Sequence, residues 1–381
     1  MRNKWFIRLA VWIIFVGVSS SAFPARAQNF SAWSAPTNLN AIVLSDGTAC
    51  PAAVNSSSTD THTDTHATIS KDGLSLIFAS NRPGGLGDFD LWVSKRDSLD
   101  DCWQTPKNLC PDLNNCSVNS SSEDSTPNLT TDGHWLFFNS NRSDGCNNGT
   151  VRELWVTHRQ DAGDDFGWEA PINLGCAINL AGHDTAGPDL FEDEIGNLFL
   201  YFAQSPKPGQ IAFSATYVST CDADLATCNT QGLWGSGTLV VALNPNSAPG
   251  GDTRMAIRRR DGLEMIFSSG RAGSLAFQNL WVSTRPNTQD QSWLPPVPIN
   301  CEWQQNVTAI LNSMPPPLPC PSWAPVDPSG TVVFVNTSVF DGSPTLSWDG
   351  KELYFASDRT DLPGFAGGRD LYVSKRTKLP D

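Results

Sequence analysis

One sequence unit recurs five times along the chain, and this repeat limits the fold more than any other feature. Each copy contains a short apolar strand, a tight turn and a second apolar strand, which has the sequence LIFASNR in the first copy. The second strands begin at Leu76, Leu136, Phe199, Met265 and Leu353. Four of the turns are Asp-Gly and the third is Gly-Asn, residue types that tolerate the positive φ of a tight hairpin. The recurrence predicts a repeat architecture built from antiparallel hairpins.

Two further strands follow each hairpin. The third strand is aromatic and β-branched, as in Leu91-Trp92-Val93-Ser94, which suits a half-buried strand. The fourth carries the pattern Trp-x-x-Pro-x-x-Leu, seen first at Trp103. Proline belongs at the edge of a sheet, where no neighbouring strand needs its missing N–H. Each unit is therefore predicted to be a four-stranded sheet with the Trp-Pro strand outermost.

The missing fourth strand of the last unit lies at the other end of the chain. The fifth unit stops at Asp381 before any Trp-Pro strand, whereas Trp33, Pro36 and Leu39 supply that pattern near the N-terminus. A closed ring uses such a displaced strand because it joins the two ends and removes an exposed edge. We predict an all-β fold, a five-bladed β-propeller of four-stranded antiparallel blades in which the N-terminal strand closes the last blade.

The pattern also gives domain boundaries. We assign residues 1–27 to a signal peptide and residues 28–381 to the propeller, with the closing strand at 30–42. The blades are predicted at about residues 60–110, 120–175, 183–243, 251–299 and 340–381. Residues 300–339 are rich in proline, so we interpret them as an extended insertion pinned by a disulfide between blades four and five.

The N-terminus indicates export. Arg2, Lys4 and Arg8 precede an apolar run, and Ala25-Arg26-Ala27 resembles a cleavage site, so the protein is expected to be periplasmic or secreted. No other stretch has the length of a membrane span. The net charge of −14 disfavours nucleic acid as a partner, and we expect a monomer.

Ten cysteines in an exported chain predict up to five disulfides. The short-range pairs Cys110/Cys116, Cys221/Cys228 and Cys301/Cys320 are the favoured ones. The remaining cysteines, whose pairing the spacing leaves open, are Cys50, Cys102, Cys146 and Cys176.

The repeated unit resembles the TolB-type, WD-repeat-like β-propeller repeat. The resemblance lies in the order Ser-x-Asp-Gly, Phe-x-Ser-x-Arg and Asp-Leu-aromatic-Val-Ser, and it is best in residues 64–95 and 341–375. It implies a propeller and, for that family, an exported protein that binds other macromolecules; it implies no reaction.

An Asp near the start of each inner strand is predicted to lie at one mouth of the central channel. The five are Asp64, Asp124, Asp184, Asp252 and Asp341. Either they serve the blade, by accepting backbone N–H groups or pairing with Arg82, Arg142, Arg271 or Arg359, or they bind a ligand or Ca²⁺.

Residues that differ between copies are better candidates for function. His62, Asp64 and His66 alternate, so on a regular strand their side chains would point the same way and could hold Zn²⁺; otherwise they are simply polar residues. Glu123 and His183 are expected near the same mouth. Arg254 either pairs with the Asp ring or binds the carboxylate or sulfate of an acidic polymer.

No nucleophile elbow, phosphate-binding loop or zinc-protease motif is present in the sequence. We therefore interpret the chain as an exported, non-enzymatic propeller that binds a protein or polysaccharide through one rim. The alternative is a carbohydrate-active enzyme, a glycoside hydrolase or polysaccharide lyase. Its channel-mouth site would contain Asp64, His66, Glu123, Asp124, His183, Asp184 and Arg254.

Overall fold

The computed structural model describes residues 30–51, 53–56, 62–205, 214–244, 251–271, 273–289, 291–299 and 334–380. The side chain of Asp252 also lies outside this description, as do the predicted signal peptide and most of the predicted insertion. None of the described helices is long and apolar enough to cross a membrane.

The named strands of the described chain all belong to five four-stranded antiparallel sheets. Blade 1 contains β2 (Asp64–Ile69), β3 (Ser75–Ser80), β4 (Asp90–Lys95) and β5 (Lys107–Asn108). Blade 2 contains β6 (Asp124–Leu129), β7 (Trp135–Ser140), β8 (Glu153–His158) and β9 (Ile172–Asn173). Blade 3 contains β10 (Thr185–Glu192), β11 (Leu198–Gln204), β12 (Ala215–Cys221) and β13 (Thr238–Leu239), with the short helix α1 (Leu225–Thr230) before β13.

Blades 4 and 5 complete the ring. Blade 4 contains β14 (Asp252–Ile257), β15 (Glu264–Ser269), β16 (Asn279–Thr284) and β17 (Val297–Pro298). Blade 5 contains β18 (Asp341–Leu346), β19 (Glu352–Ser357), β20 (Asp370–Lys375) and β1 (Thr37–Asn38). The strand β1 pairs antiparallel with β20, Thr37 opposite Val373. The predicted five-bladed propeller, closed by its N-terminal strand, is confirmed.

Each inner strand contacts the inner strands of both neighbouring blades, including β18 with β2 across the closure. A separate apolar core lies between each pair of neighbouring blades. On β3, Phe78 packs in the core shared with blade 5, while Ile77 packs in the core shared with blade 2. Both faces of the sheet are thus buried, which explains why the second strands are continuous apolar runs rather than alternating ones.

Backbone hydrogen bonds join the blades at the end where the inner strands begin. The amides of Asp124, Thr185, Asp341 and Asp64 each donate to a carbonyl just before the third strand of the preceding blade. The accepting residues are Phe89, Arg152, Gln278 and Arg369, at 2.8–3.2 Å. This end of the ring is therefore a fixed rim, and it carries the residues just before each third strand.

Four disulfides are present among the described residues. The predicted pairs Cys110–Cys116 and Cys221–Cys228 are confirmed. The long-range cysteines pair as Cys50–Cys102 and Cys146–Cys176, and the predicted pair Cys301/Cys320 lies outside the described residues. This many disulfides are typical of an extracellular or secreted protein.

Candidate active site

A β-bulge interrupts every inner strand near the channel mouth. At the bulge one residue of each blade adopts a left-handed backbone, with φ between 52° and 66°. These residues are His66, Thr126, Gly187, Arg254 and Ser343. A bulge redirects its side chain out of the strand's alternation, and here all five residues line the channel. Left-handed φ is costly for every residue type but glycine, so four blades hold a strained residue at the same place.

The channel itself is narrow. The cavity lined by these five residues has a volume of only about 20 Å³, enough for roughly one water molecule. Deeper in the channel, Asn128 donates a hydrogen bond of 2.5 Å to buried Asp189, and Arg259 lies 3.9 Å from the same carboxylate. Burial raises the pKa of Asp189 to about 6. A sugar cannot enter the channel, so any substrate must lie at its mouth.

His66 lies in this ring with both ring nitrogens buried and without a hydrogen-bond partner in the described part of the chain. Burial, and then the positive charges of Arg254, Arg369 and Arg152, lower the pKa of His66 well below its usual value. The imidazole is therefore neutral at physiological pH and retains one N–H donor and one acceptor.

Arg254 comes from the equivalent position of blade 4. Its Nε is buried and has no hydrogen-bond partner among the described residues. Burial and the charge of Arg152 lower the pKa of Arg254 to about 9, and the charges of Glu123 and Asp184 offset this only in part. The guanidinium remains a cation at neutral pH.

Arg152 joins two carboxylates at the mouth. Its Nε donates to Oδ1 of Asp184 at 3.0 Å, its Nη2 lies 2.5 Å from Oδ2 of Asp184, and its Nη1 lies 3.7 Å from Oε1 of Glu123. Burial alone would raise the pKa of Asp184, but the hydrogen bonds and charge of Arg152 hold it below its usual value. Asp184 is therefore ionised, while about 29% of its side chain and 28% of that of Glu123 remain accessible.

Two adjoining pockets meet at this ion pair. One, of about 260 Å³, is lined by Glu123 and Ser205, and the other, of about 140 Å³, by Arg254 and Gln278; Arg152 and Asp184 line both. We call the two together the mouth cleft.

Exposed apolar side chains stand beside the mouth cleft. On the loop that connects β15 to β16, Leu275 is 64% exposed and Phe277, next to Gln278, is 84% exposed. An exposed aromatic ring beside a polar cleft offers a face on which a sugar ring can stack.

Three of the predicted Asp residues do not face the mouth cleft. Each is fully buried and pairs with an arginine that follows the second strand of its own blade. The pairs are Asp64–Arg82 at 2.6 Å, Asp124–Arg142 at 2.6 Å and Asp341–Arg359 at 3.2 Å. Burial raises the pKa of Asp341. These carboxylates brace the blade, while the side chain of Asp252 lies outside the described residues.

Asp184 does not occupy the position that the repeat suggested. Thr185 pairs with Gln204 as Asp64 pairs with Ser80, so Thr185 is the equivalent of the repeated Asp. Asp184 is one residue earlier, at the position of Glu123, and its side chain therefore projects into the mouth cleft. His183 lies at the rim, where its Nδ1 contacts the carbonyl oxygen of Ser205 at 2.8 Å.

The predicted common orientation of His62, Asp64 and His66 is wrong. The bulge gives His66 a φ of 54° and turns its side chain into the channel, whereas Asp64 points into the blade towards Arg82. Across the described residues no group of three or more His, Cys, Asp or Glu side chains is placed to hold a metal ion.

The sequence analysis missed Arg152 and Arg369. They precede the third strands of blades 2 and 5, where blade 1 has Phe89 and blade 4 has Gln278. Arg369 binds Asp358 at 2.7 Å and lies over the ring of Phe340. Both arginines differ from their counterparts in the other copies at the residue before the third strand, and this difference is the sequence signal for them.

No protein-family model and no curated protein sequence matches the chain. Among solved structures, a thermostable family-43 glycoside hydrolase matches at 12% identity with a TM-score of 0.47, over 84% of this chain and 90% of that one. An alpha-L-arabinofuranosidase from Podospora anserina in complex with cellotriose matches at 10% identity with a TM-score of 0.47, over 91% and 97%. An endo-arabinase from Bacteroides thetaiotaomicron matches at 11% identity with a TM-score of 0.47, over 92% and 99%.

These matches correct two expectations from the sequence. The structures found are glycoside hydrolases, so the identification with TolB-type, WD-repeat-like proteins is wrong. The interpretation as a non-enzymatic binding or scaffold propeller, which rested on that resemblance and on the absence of a catalytic motif, is also wrong. Matches this distant do not establish the reaction or the substrate of this chain, which have to be derived from the mouth cleft itself.

Proposed function

We propose that the chain is a glycoside hydrolase whose active site is the mouth cleft. One observation carries the proposal: two accessible carboxylates, Glu123 and Asp184, come from neighbouring blades and are held at the channel mouth by the same arginine, Arg152. Hydrolysis of a glycosidic bond requires such a pair. One carboxyl group protonates the leaving oxygen, and the other attacks the sugar or activates water on the opposite face of the ring.

The two carboxylates are suited to different roles. Asp184 receives three hydrogen bonds from Arg152, two from the guanidinium and one from the backbone N–H, which keep it ionised. It is therefore the group that activates water or stabilises the positive charge developing on the sugar. Glu123 has only the longer contact with Arg152 and accepts a hydrogen bond of 2.7 Å from Ser125. Glu123 is therefore the candidate acid that delivers a proton to the leaving oxygen, while water supplies the hydroxyl group of the new reducing end.

The surroundings of the pair agree with a polysaccharide substrate. The mouth cleft is open on the rim, and exposed Phe277 stands beside it as a stacking surface. We further propose that residues 1–27 direct export and are removed, so that the enzyme meets its polymer in the periplasm or outside the cell.

Reducing-end release from a panel of neutral and acidic polysaccharides tests the proposal with purified mature chain. Glu123→Gln and Asp184→Asn should each lower kcat by about 10²-fold or more. Glu169→Gln and Asp100→Asn, exposed carboxylates at the opposite end of the blades, should leave kcat unchanged. Full activity in both cleft variants, products carrying a new double bond, or cleavage of none of the polymers would contradict the proposal.

A further inference from the structure

We infer that Arg254, with His66 behind it in the channel, forms a subsite for the carboxylate of an acidic sugar. As a statement about substrate, this inference rests on the proposed function, because it makes the polymer a polyuronate or a glycan with uronic acid side groups. As a statement about binding, it rests only on the geometry of the channel mouth.

Arg254 is the first part of the argument. At the same end of the ring, Arg82 and Arg369 lie 2.6 and 2.7 Å from carboxylates, whereas no described residue makes a hydrogen bond or ion pair with Arg254. The Nε of this guanidinium is buried without a partner, which is costly, and an anion from outside the protein that accepts from the guanidinium reduces that cost.

The nearby carboxylates do not serve as its partner. Glu123 and Asp184 are both held by Arg152, and Asp358 is held by Arg369. Arg254 therefore lines the pocket of about 140 Å³ beside Gln278 without a hydrogen bond to either carboxylate of the mouth cleft.

His66 is the second part. Its two ring nitrogens are buried beside Arg254 without partners, and its backbone is held in the strained left-handed region. The ring lines the narrow channel together with Arg254, but it lines neither pocket of the mouth cleft. A neutral imidazole carries no charge that could pair with Arg254, so the guanidinium is left to bind an anion in the pocket beside Gln278.

The shape of the site favours a carboxylate. A planar guanidinium binds the two coplanar oxygens of a carboxylate through parallel hydrogen bonds. Gly187, on the neighbouring inner strand, leaves room for Arg254: a Cβ atom there would lie 3.2 Å from both Cα and Cγ of Arg254. A side chain at position 187 would therefore press against Arg254, and glycine avoids this contact.

The test is calorimetric titration of the Glu123→Gln variant, which preserves the ligand, with three oligosaccharides of equal length: an oligouronate, its neutral counterpart and a sulfated one. The oligouronate should bind at least about tenfold more tightly than the other two. In the same background, Arg254→Met should abolish this preference, and the control Arg260→Met, an exposed arginine on the opposite face, should preserve it.

If Arg254→Met fails to fold, Arg254→Lys is the substitute test. It keeps the positive charge without the planar guanidinium, and it should bind the oligouronate with an affinity between that of the Arg254 protein and that of the neutral ligand. An unchanged preference in the folded Arg254 variants, or equal affinity for the three ligands, would overturn the inference. Binding of the oligouronate by a chain that hydrolyses nothing would refute the hydrolase and leave the subsite standing. Hydrolysis confined to neutral polymers would support the hydrolase and refute the subsite for an acidic sugar.

Discussion

Asn38 donates a hydrogen bond of 2.9 Å to Asp370, a residue 332 positions away. The contact lies where the N-terminal strand meets the last blade, so it spans the closure of the ring. Asn55 adds to it by donating to Oδ1 of Asn38 at 2.9 Å and to the carbonyl oxygen of Leu371 at 3.0 Å. The closure thus depends on buried polar contacts as well as on the short β1–β20 ladder.

Replacement of Asn38 by Ala should open the ring locally. Blade 1 has the counterpart of the Asn55–Asn38 contact, in which Asn119 donates to Asn108 at 2.7 Å. There the Nδ2 of Asn108 has no partner among the described residues, and the outer strand follows its neighbour along the chain. Asn38→Ala and Asn108→Ala should each lower the free energy of unfolding by about 1–3 kcal/mol, because both leave buried groups unpaired.

Only Asn38→Ala should accelerate hydrogen exchange of the β20 amides. Non-covalent contacts hold β1 to blade 5, whereas in blade 1 the chain itself connects the outer strand to its neighbour. Equal exchange of the third-strand amides in the two variants would show that the closure is no weaker than the other blades.

Two buried carboxyls should make the protein more stable in mild acid. Burial raises the pKa of Asp90 and of Asp370 to about 6. The folded state therefore binds a proton more tightly than the unfolded chain, whose Asp pKa is near 3.9. Their contribution to stability is fully present below about pH 4 and is lost as the pH rises through about 6.

Blade 4 provides the variant that tests this. Asn279 occupies the same strand position and accepts hydrogen bonds from Leu275 and Ala276 without any charge. Asp90→Asn and Asp370→Asn should therefore fold, and each should flatten the dependence of the unfolding free energy on pH between about 4 and 6. A pH profile that is the same as that of the unaltered chain in both variants would contradict the assignment.

The disulfides should differ in their contribution to stability. Cys50–Cys102 closes a loop of 52 residues and ties the segment after β1 to blade 1, whereas Cys221–Cys228 closes one of 7. Loop entropy predicts that Cys50→Ala/Cys102→Ala lowers the free energy of unfolding by about 2 kcal/mol more than Cys221→Ala/Cys228→Ala. Denaturant titration of the two double variants measures this. Equal losses would mean that the unfolded chain does not gain the freedom that the loop lengths predict.

The sequence was sufficient for the architecture because hairpin turns, edge prolines and two-sided apolar strands all reflect contacts within a blade. The displaced strand around Trp33 then required closure, and β1 does pair with β20. The same reasoning explains why the family assignment failed. Motifs such as Asp64 with Arg82 brace a four-stranded blade, so they report the geometry of a propeller rather than its ancestry or its function.

The candidate site could be predicted only in part. Glu123 and Arg254 stood out because they differ from their counterparts in the other blades. The orientation of His66 could not be predicted, because strand alternation fails at a β-bulge and no turn motif marks this one. The sequence also predicted Asp184 one residue out of register. The repeat suggests an Asp at the start of each inner strand, but blade 3 has Thr185 at that position.

Gly187→Ala should damage the mouth cleft more than the fold. Gly187 has a φ of +66°, and a Cβ atom there would lie 3.2 Å from Cα and Cγ of Arg254. Gly196, on the β10–β11 hairpin at the opposite end, has a φ of +86° with no atom within 4 Å of an added Cβ, so Gly196→Ala is a control with backbone strain alone. Both variants should lose about 1–2 kcal/mol of stability from the left-handed backbone.

Only Gly187→Ala should also weaken oligouronate binding, by about tenfold, because Arg254 has to move away from the channel wall. Denaturant titration gives the stability of both variants, and calorimetry of each in the Glu123→Gln background gives the affinity. A Gly187→Ala protein that binds as tightly as the Gly196→Ala control would show that the position of Arg254 against Gly187 does not matter for the ligand. A similar loss of affinity in both variants would assign the effect to general destabilisation instead.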